Sequence, residues 1–147
     1  MEKVTSRNFK VDYYEKEHEK WLVKTQLADD DHEIEVQVEV DMRAMTLTDA
    51  EITFKRYPLE HCRMVERLAS KMIGTKIDSN FSRQMMTLFM GAKGCPNIMS
   101  LLNISIPGII YYYYPHMIKT GKISYEQWEN MVRTDLKNDC IAHTMLG

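Results

Sequence analysis

Between Phe9 and Arg56 several segments of the chain alternate apolar and polar residues with a period of two. Ile34, Val36, Val38 and Val40 are interleaved with Glu35, Gln37 and Glu39, the pattern of a strand with one face on a core and the other toward water. Ala50, Ile52 and Phe54 alternate in the same way, and the Lys55 that follows has the right sign to pair with acids of the preceding strand. Trp21 to Leu27 reads as a further strand, and Phe9 to Tyr14, through Phe9, Val11 and Tyr13, as a fourth. Asp29-Asp30-Asp31-His32 breaks the chain before Ile34, and Asp41 to Asp49 holds the next connection. Connections this short predict an antiparallel meander, because a parallel pair needs a crossover of about a dozen residues.

After Pro58 the period becomes helical. Val65, Leu68, Ala69, Met72 and Ile73 line one face, and Gly74 is placed to cap the C-terminus. Ser79 is the expected cap of a helix carrying Phe81, Met85, Leu88 and Phe89, which Gly91 ends. Pro96 suits the first turn of a helix that starts after Cys95. Ser124 and Gln127 form a capping-box pattern for a last helix with Trp128, Met131, Val132 and Leu136 on its apolar side. Met85, Met86, Met90 and Met99 fall at core spacing. Strands first and helices after predict an α+β domain: a meander of about three to four strands in the N-terminal half, packed on one face by about four helices. A single domain over 1–147 is expected, with 120–147 forming the last helix and a tail.

The most apolar stretch, Ile98 to Ile118, raises the question of a membrane. It carries Ser100, Asn103, Ser105, Pro107, Gly108, Pro115 and His116, so it has no clean run of about 18 apolar residues. A buried helix broken or kinked at Pro107-Gly108 and followed by Tyr111 to Tyr114 is expected instead. A formal net charge of −2 provides no electrostatic case for nucleic acid or a membrane surface as partner. Three cysteines are too few for a disulfide framework and suit a reducing compartment, and the N-terminus lacks the apolar core of a secretory signal. The expected location is cytoplasmic.

Two cysteines stand where helices should begin. Gly94 and Pro96 flank Cys95, and the unpaired amides and dipole of a helix start favour a thiolate there, with Lys93 adding positive charge. Lys93, Gly94 and Asn97 could equally hold an anionic ligand against those amides. The alternative is a thiol that merely caps or packs. Cys62 follows His61 just after a strand; the two could be ligands, although adjacent helical residues point about 100° apart. Cys140 and His143 have an i, i+3 ligand spacing in the tail. Tyr111 to Tyr114 suits a pocket wall or a homodimer surface, since tyrosine joins a large ring to one polar end.

The strand from His32 to Asp41, the strand from Asp49 to Arg56, Tyr57-Pro58 with Cys62, Ile73-Gly74, and Gly94-Cys95 followed by Leu101-Leu102 together resemble the domain-of-unknown-function family 2889. The resemblance runs from about residue 8 to 119 and implies a shape without an activity. Pro96-Asn97 stands where the family pattern has Thr-His. More distantly, the order of elements is similar to SufE/NifU-type iron–sulfur scaffold domains, where three cysteines and an aspartate meet at one end of a sheet. That resemblance implies that Cys62 and Cys95 match two of those cysteines, while Asp29 to Asp31 occupy the place of the third. A set of Cys62, Cys95, Asp31 and His61 (or His32) would suit zinc or iron and falls short of the four thiolates of a stable cluster.

Three functions follow as expectations. The first is a non-enzymatic binding or interaction domain for a protein partner or small ligand. The second is a metal or sulfur scaffold using Cys62 and Cys95. The third is a thiol enzyme with Cys95 as nucleophile and His61 or His116 as base.

Overall fold

In a computed structural model, which describes residues 1–146, four consecutive strands form one antiparallel sheet. They are β1 (Asn8–Lys16), β2 (Lys20–Ala28), β3 (Glu33–Asp41) and β4 (Thr46–Arg56), in the spatial order β1-β2-β3-β4. The expected meander is therefore present. The register sets Trp21, Val23, Thr25 and Leu27 opposite Val40, Val38, Val36 and Ile34, and those opposite Leu47, Ala50, Ile52 and Phe54. All of these are buried except Ala50, so one face of the sheet is the core face. Two register shifts, at Glu33/Ile34 and Glu39/Val40, are bulges that the alternation alone does not announce. On the outer face Lys55 meets Glu35 at 3.8 Å and Lys24 meets it at 3.0 Å, the cross-strand pairing expected of Lys55.

The segment after β4 is a 3-10 helix (Glu60–Met72) packed along β4. It buries Val65, Leu68, Ala69 and Met72, as the periodicity predicts, but Ile73 is 48% exposed. Ile73 leaves the helix in an extended conformation and Gly74 turns at φ 90°, so the chain departs one residue before the pattern suggests. It then runs beside the free edge of β4. Leu47 N–H donates to Thr75 O, Gly74 N–H to Leu47 O, and Thr46 bridges Lys76.

Helix α1 (Phe81–Phe89) is capped at Asn80 instead of Ser79, and Asp78 Oδ1 shapes the entry by accepting from Asn80 N–H at 2.8 Å. It buries Phe81, Met85 and Phe89, while Met86 and Met90 are exposed. Those two methionines lie one residue, or about 100°, off the buried stripe, which is why equal spacing did not place them in the core. Helix α2 (Pro96–Ser105) has Cys95 as N-cap and Pro96 at its start, and buries Ile98, Met99, Leu101, Leu102 and Ser105 against β2, β3 and α1. Tyr13 Oη donates to Ser105 O at 2.6 Å, tying β1 to the end of this helix.

The chain divides into two compact units, 1–107 and 108–147, at the Pro107-Gly108 break. The apolar stretch is thus split between α2 and a separate helix α3 (Ile110–Lys119), in which no residue is fully buried. Tyr111 and Tyr112 are exposed. Helix α4 (Tyr125–Thr134) shows the expected capping box, with Gln127 N–H to Ser124 Oγ at 3.1 Å and Ser124 N–H to Gln127 Oε1 at 2.7 Å. A six-residue helix, α5 (Ile141–Leu146), follows where a tail was expected. No helix among the described residues is long and apolar enough to cross a membrane.

Candidate functional site

Three chain segments meet at one end of the sheet. Ala28 pairs Glu33 and Glu33 pairs Arg56, so the β2–β3 turn and the end of β4 are neighbours. Asp29 organises that turn: its Oδ1 accepts from the N–H of Asp31 at 2.9 Å, the N–H of His32 at 2.7 Å and bonds His32 Nδ1 at 2.9 Å. Its Oδ2 is gripped by Arg7, through Nε at 3.0 Å and Nη2 at 2.9 Å. The same guanidinium donates from Nη1 to Asn97 Oδ1 at 3.0 Å, joining the turn to the first turn of α2. Arg56 Nη2 donates to the carbonyls of Asp29 and His32.

Burial alone would raise the Asp29 carboxyl, but the bonds from His32, from the Asp31 amide and from Arg7 outweigh it and hold the group well below the ordinary carboxylate range. A depressed folded-state value stabilises the fold above the unfolded pKa of about 3.9 and loses that contribution as pH falls through the folded value. Glu35 and Glu39 are also lowered. At Glu35 burial opposes Lys24, Gln37 and Lys55, and at Glu39 the Lys16 bond dominates. A falling thermal midpoint is therefore expected below about pH 4. Asp29→Asn should lower the midpoint at pH 7 and flatten this acid slope; an unchanged slope would remove Asp29 from the account.

Cys95 caps α2 beside this network, half-buried, with no hydrogen bond from its side chain to the helix start. Cys62, also half-buried, sits in the first turn of the 3-10 helix that begins just after β4 ends at this side of the sheet. His61 beside it is exposed, as are Asp31 and Lys93. Among the acids of the turn Asp29 carries most of the contacts, Asp30 accepts from Thr5 Oγ1 at 2.9 Å, and Asp31 contributes its amide. Among the described residues no group of three or more His, Cys, Asp and Glu side chains could hold a metal ion.

Gly94 has a steric role. A Cβ placed there would overlap the carbonyl group and Cα of Phe89, so the loop out of α1 folds directly onto its own last turn before α2 begins. Close backbone approach, which only glycine permits, sets the position of Cys95.

In the 108–147 unit, Tyr111 Oη donates to Asp139 Oδ2 at 3.1 Å and its ring lies 5.9 Å from that of His143. Burial first, then the Asp139 carboxylate, push the Tyr111 phenol up. His143 Nδ1 bonds Leu136 O at 3.1 Å, while Cys140 is exposed. His143 thus contacts the chain just past the end of the Tyr125–Thr134 helix.

The outer face holds a cleft of about 250 Å³ beside the same sheet end. Lys10, Lys55, Glu33 and Glu35 contribute its charged groups, around Gln26 and Ala28. Glu35, 7% exposed, accepts from Lys24 at 3.0 Å and Gln26 at 3.2 Å. Its charge therefore stays compensated although it is buried. Alternation predicted Glu35 to face water; the long side chains of the neighbouring strands close over it.

A family model described as a protein of unknown function (DUF2889) matches residues 5–107. The match ends at the residue where the first compact unit ends. No curated protein and no solved structure matches the chain.

Proposed function

The chain belongs to the DUF2889 family, and from that premise we propose that the 1–107 unit is a non-enzymatic binding module whose recognition site is the outer-face cleft. Its ligand is small and carries both charges, as a free amino acid or a peptide end does. One observation carries this reading: two ammonium groups, Lys10 and Lys55, and two carboxylates, Glu33 and Glu35, border a cleft of about 250 Å³ whose exposed lining is otherwise mostly apolar, with Phe9, Leu27 and Ile34 beside Gln26 and Ala28. That volume is at the small end of ligand sites, which typically run from about 300 Å³ upward. Two free thiols, Cys62 and Cys95, support placing the module in a reducing, cytoplasmic compartment.

Titration with free amino acids and dipeptides, followed by thermal midpoint and by the amide NMR signals of Gln26 and Ala28, tests the reading. A ligand at about 100 times its Kd should add about 2.7 kcal/mol. Lys55→Met and Glu35→Gln should each weaken the response about tenfold, the scale of one charge-assisted hydrogen bond. If no member of the panel moves either readout, the cleft is not a binding site.

A second reading is a metal or sulfur scaffold of the SufE/NifU kind, using Cys62 and Cys95 with zinc or iron. It is favoured by the shared position of the Asp29 turn, the end of β4 and the Cys95 cap at one end of the sheet. Metal in protein purified without oxygen, lost in both Cys62→Ser and Cys95→Ser, would replace the first reading with this one. Rapid alkylation at Cys95 alone would favour a thiol enzyme instead.

A further inference from the structure

The sheet treats its two edges differently. The β4 edge is covered: the 3-10 helix packs along it, Glu66 Oε2 accepts from Phe54 N–H at 3.0 Å, and the Gly74–Ile77 strap pairs with its first half. The β1 edge ends the strand order, and no residue of β1 is fully buried. Phe9, on the core face, is 42% exposed, and Tyr14, on the outer face, is 49% exposed. A nine-residue edge strand of this kind is a template for another strand unless something blunts it.

The geometry points to a second copy of this chain as the partner of β1, paired antiparallel about Val11. In that register Lys10 faces Asp12 of the second copy, Phe9 faces its Tyr13 and Asn8 faces its Tyr14, each pair occurring twice. Directly opposed residues share a face, so Phe9, Val11 and Tyr13 of both copies continue one core face while Lys10 and Asp12 form an alternating square of charge on the other. Neighbouring registers that keep the core faces on the same side lose this match. Centring on Lys10 or Asp12 opposes that residue to itself, and centring on Tyr13 opposes Lys10 to Lys16. An edge lysine ordinarily discourages pairing, but here Lys10 already lies 3.7 Å from Asp12 within its own strand and would meet a second aspartate across the axis. The product is a continuous eight-stranded sheet.

Sedimentation of the full chain tests this, with the dimer expected at twice the 17.3 kDa chain mass. Lys10→Asp and Asp12→Lys each place like charges opposite one another and should weaken dimerisation about tenfold or more. The double variant K10D/D12K restores opposite charges in this register and should recover the dimer. Both positions are on the outer face, and circular dichroism on each variant checks that the fold is kept. A wild-type chain that stays monomeric at high concentration overturns the proposal. So does a dimer that both single variants leave intact, or one that the double variant fails to restore.

Discussion

Gly94→Ala is expected to destabilise the protein by about 3 kcal/mol, at the upper end of the cost of overpacking. The overlapped atoms are the backbone of Phe89, which has no rotamer to give, and Phe89 itself is fully buried. Relief requires the loop between α1 and α2 to move, which would also shift the Cys95 cap and pull Asn97 away from Arg7. Chemical denaturation of the variant gives the free energy, and the Arg7 and Asp29 NMR signals report the displaced helix start. Gly108→Ala makes a control, since a Cβ there meets the Tyr111 ring at an ordinary 3.5 Å. It should stay within about 0.5 kcal/mol of wild type. Equal stability of Gly94→Ala and wild type would mean that this close approach is not formed.

Trp21→Ala should cost about 3–5 kcal/mol, the range for removing a large buried aromatic side chain. Trp21 is 5% exposed, lies opposite Val40 in the sheet, and has its ring centroid 6.2 Å from that of Tyr13. Tyr13 is the residue whose hydroxyl reaches Ser105 at the end of α2. Loss of the indole thus removes sheet packing and the support for that connection together. Tyr13→Phe removes the hydroxyl alone and should cost about 1 kcal/mol. If urea melts give both variants the same small loss, the core is not centred on this face.

Most of the α+β fold was legible in the sequence because its determinants are local. Ile34 to Val40 and Trp21 to Leu27 alternate because a pleated strand with one buried face has a period of two. Ser124 and Gln127 sit three residues apart because a capping box closes within one turn. Pro96 after Cys95 marked the start of α2 for the same reason. Phe9 shows the limit: its alternation is intact, yet it is partly exposed because β1 is the sheet edge, and position in the sheet is not encoded in a single strand. The bulges in β4 and the 3-10 form of Glu60–Met72 were likewise settled by what packs beside them.

The candidate site was less legible. Cys95 was placed correctly at a helix start, and the acidic turn correctly before β3, but the link between them is Arg7, which lies 90 residues from Asn97 and belongs to no motif. The cleft could not be seen either, because Lys10, Gln26, Glu35 and Lys55 come from four strands and share a face through register.

The sequence by itself determined the strands, the starts of α2 and α4 and the antiparallel order, since periodicity, capping and loop length act over a few residues. Tertiary structure alone decided which acid of the Asp29–Asp31 turn is held, why Gly94 must be glycine, and which sheet edge is left uncovered. Each of those depends on groups far apart in sequence meeting at contact distance, where sterics and charge pairing operate and a linear pattern leaves no trace.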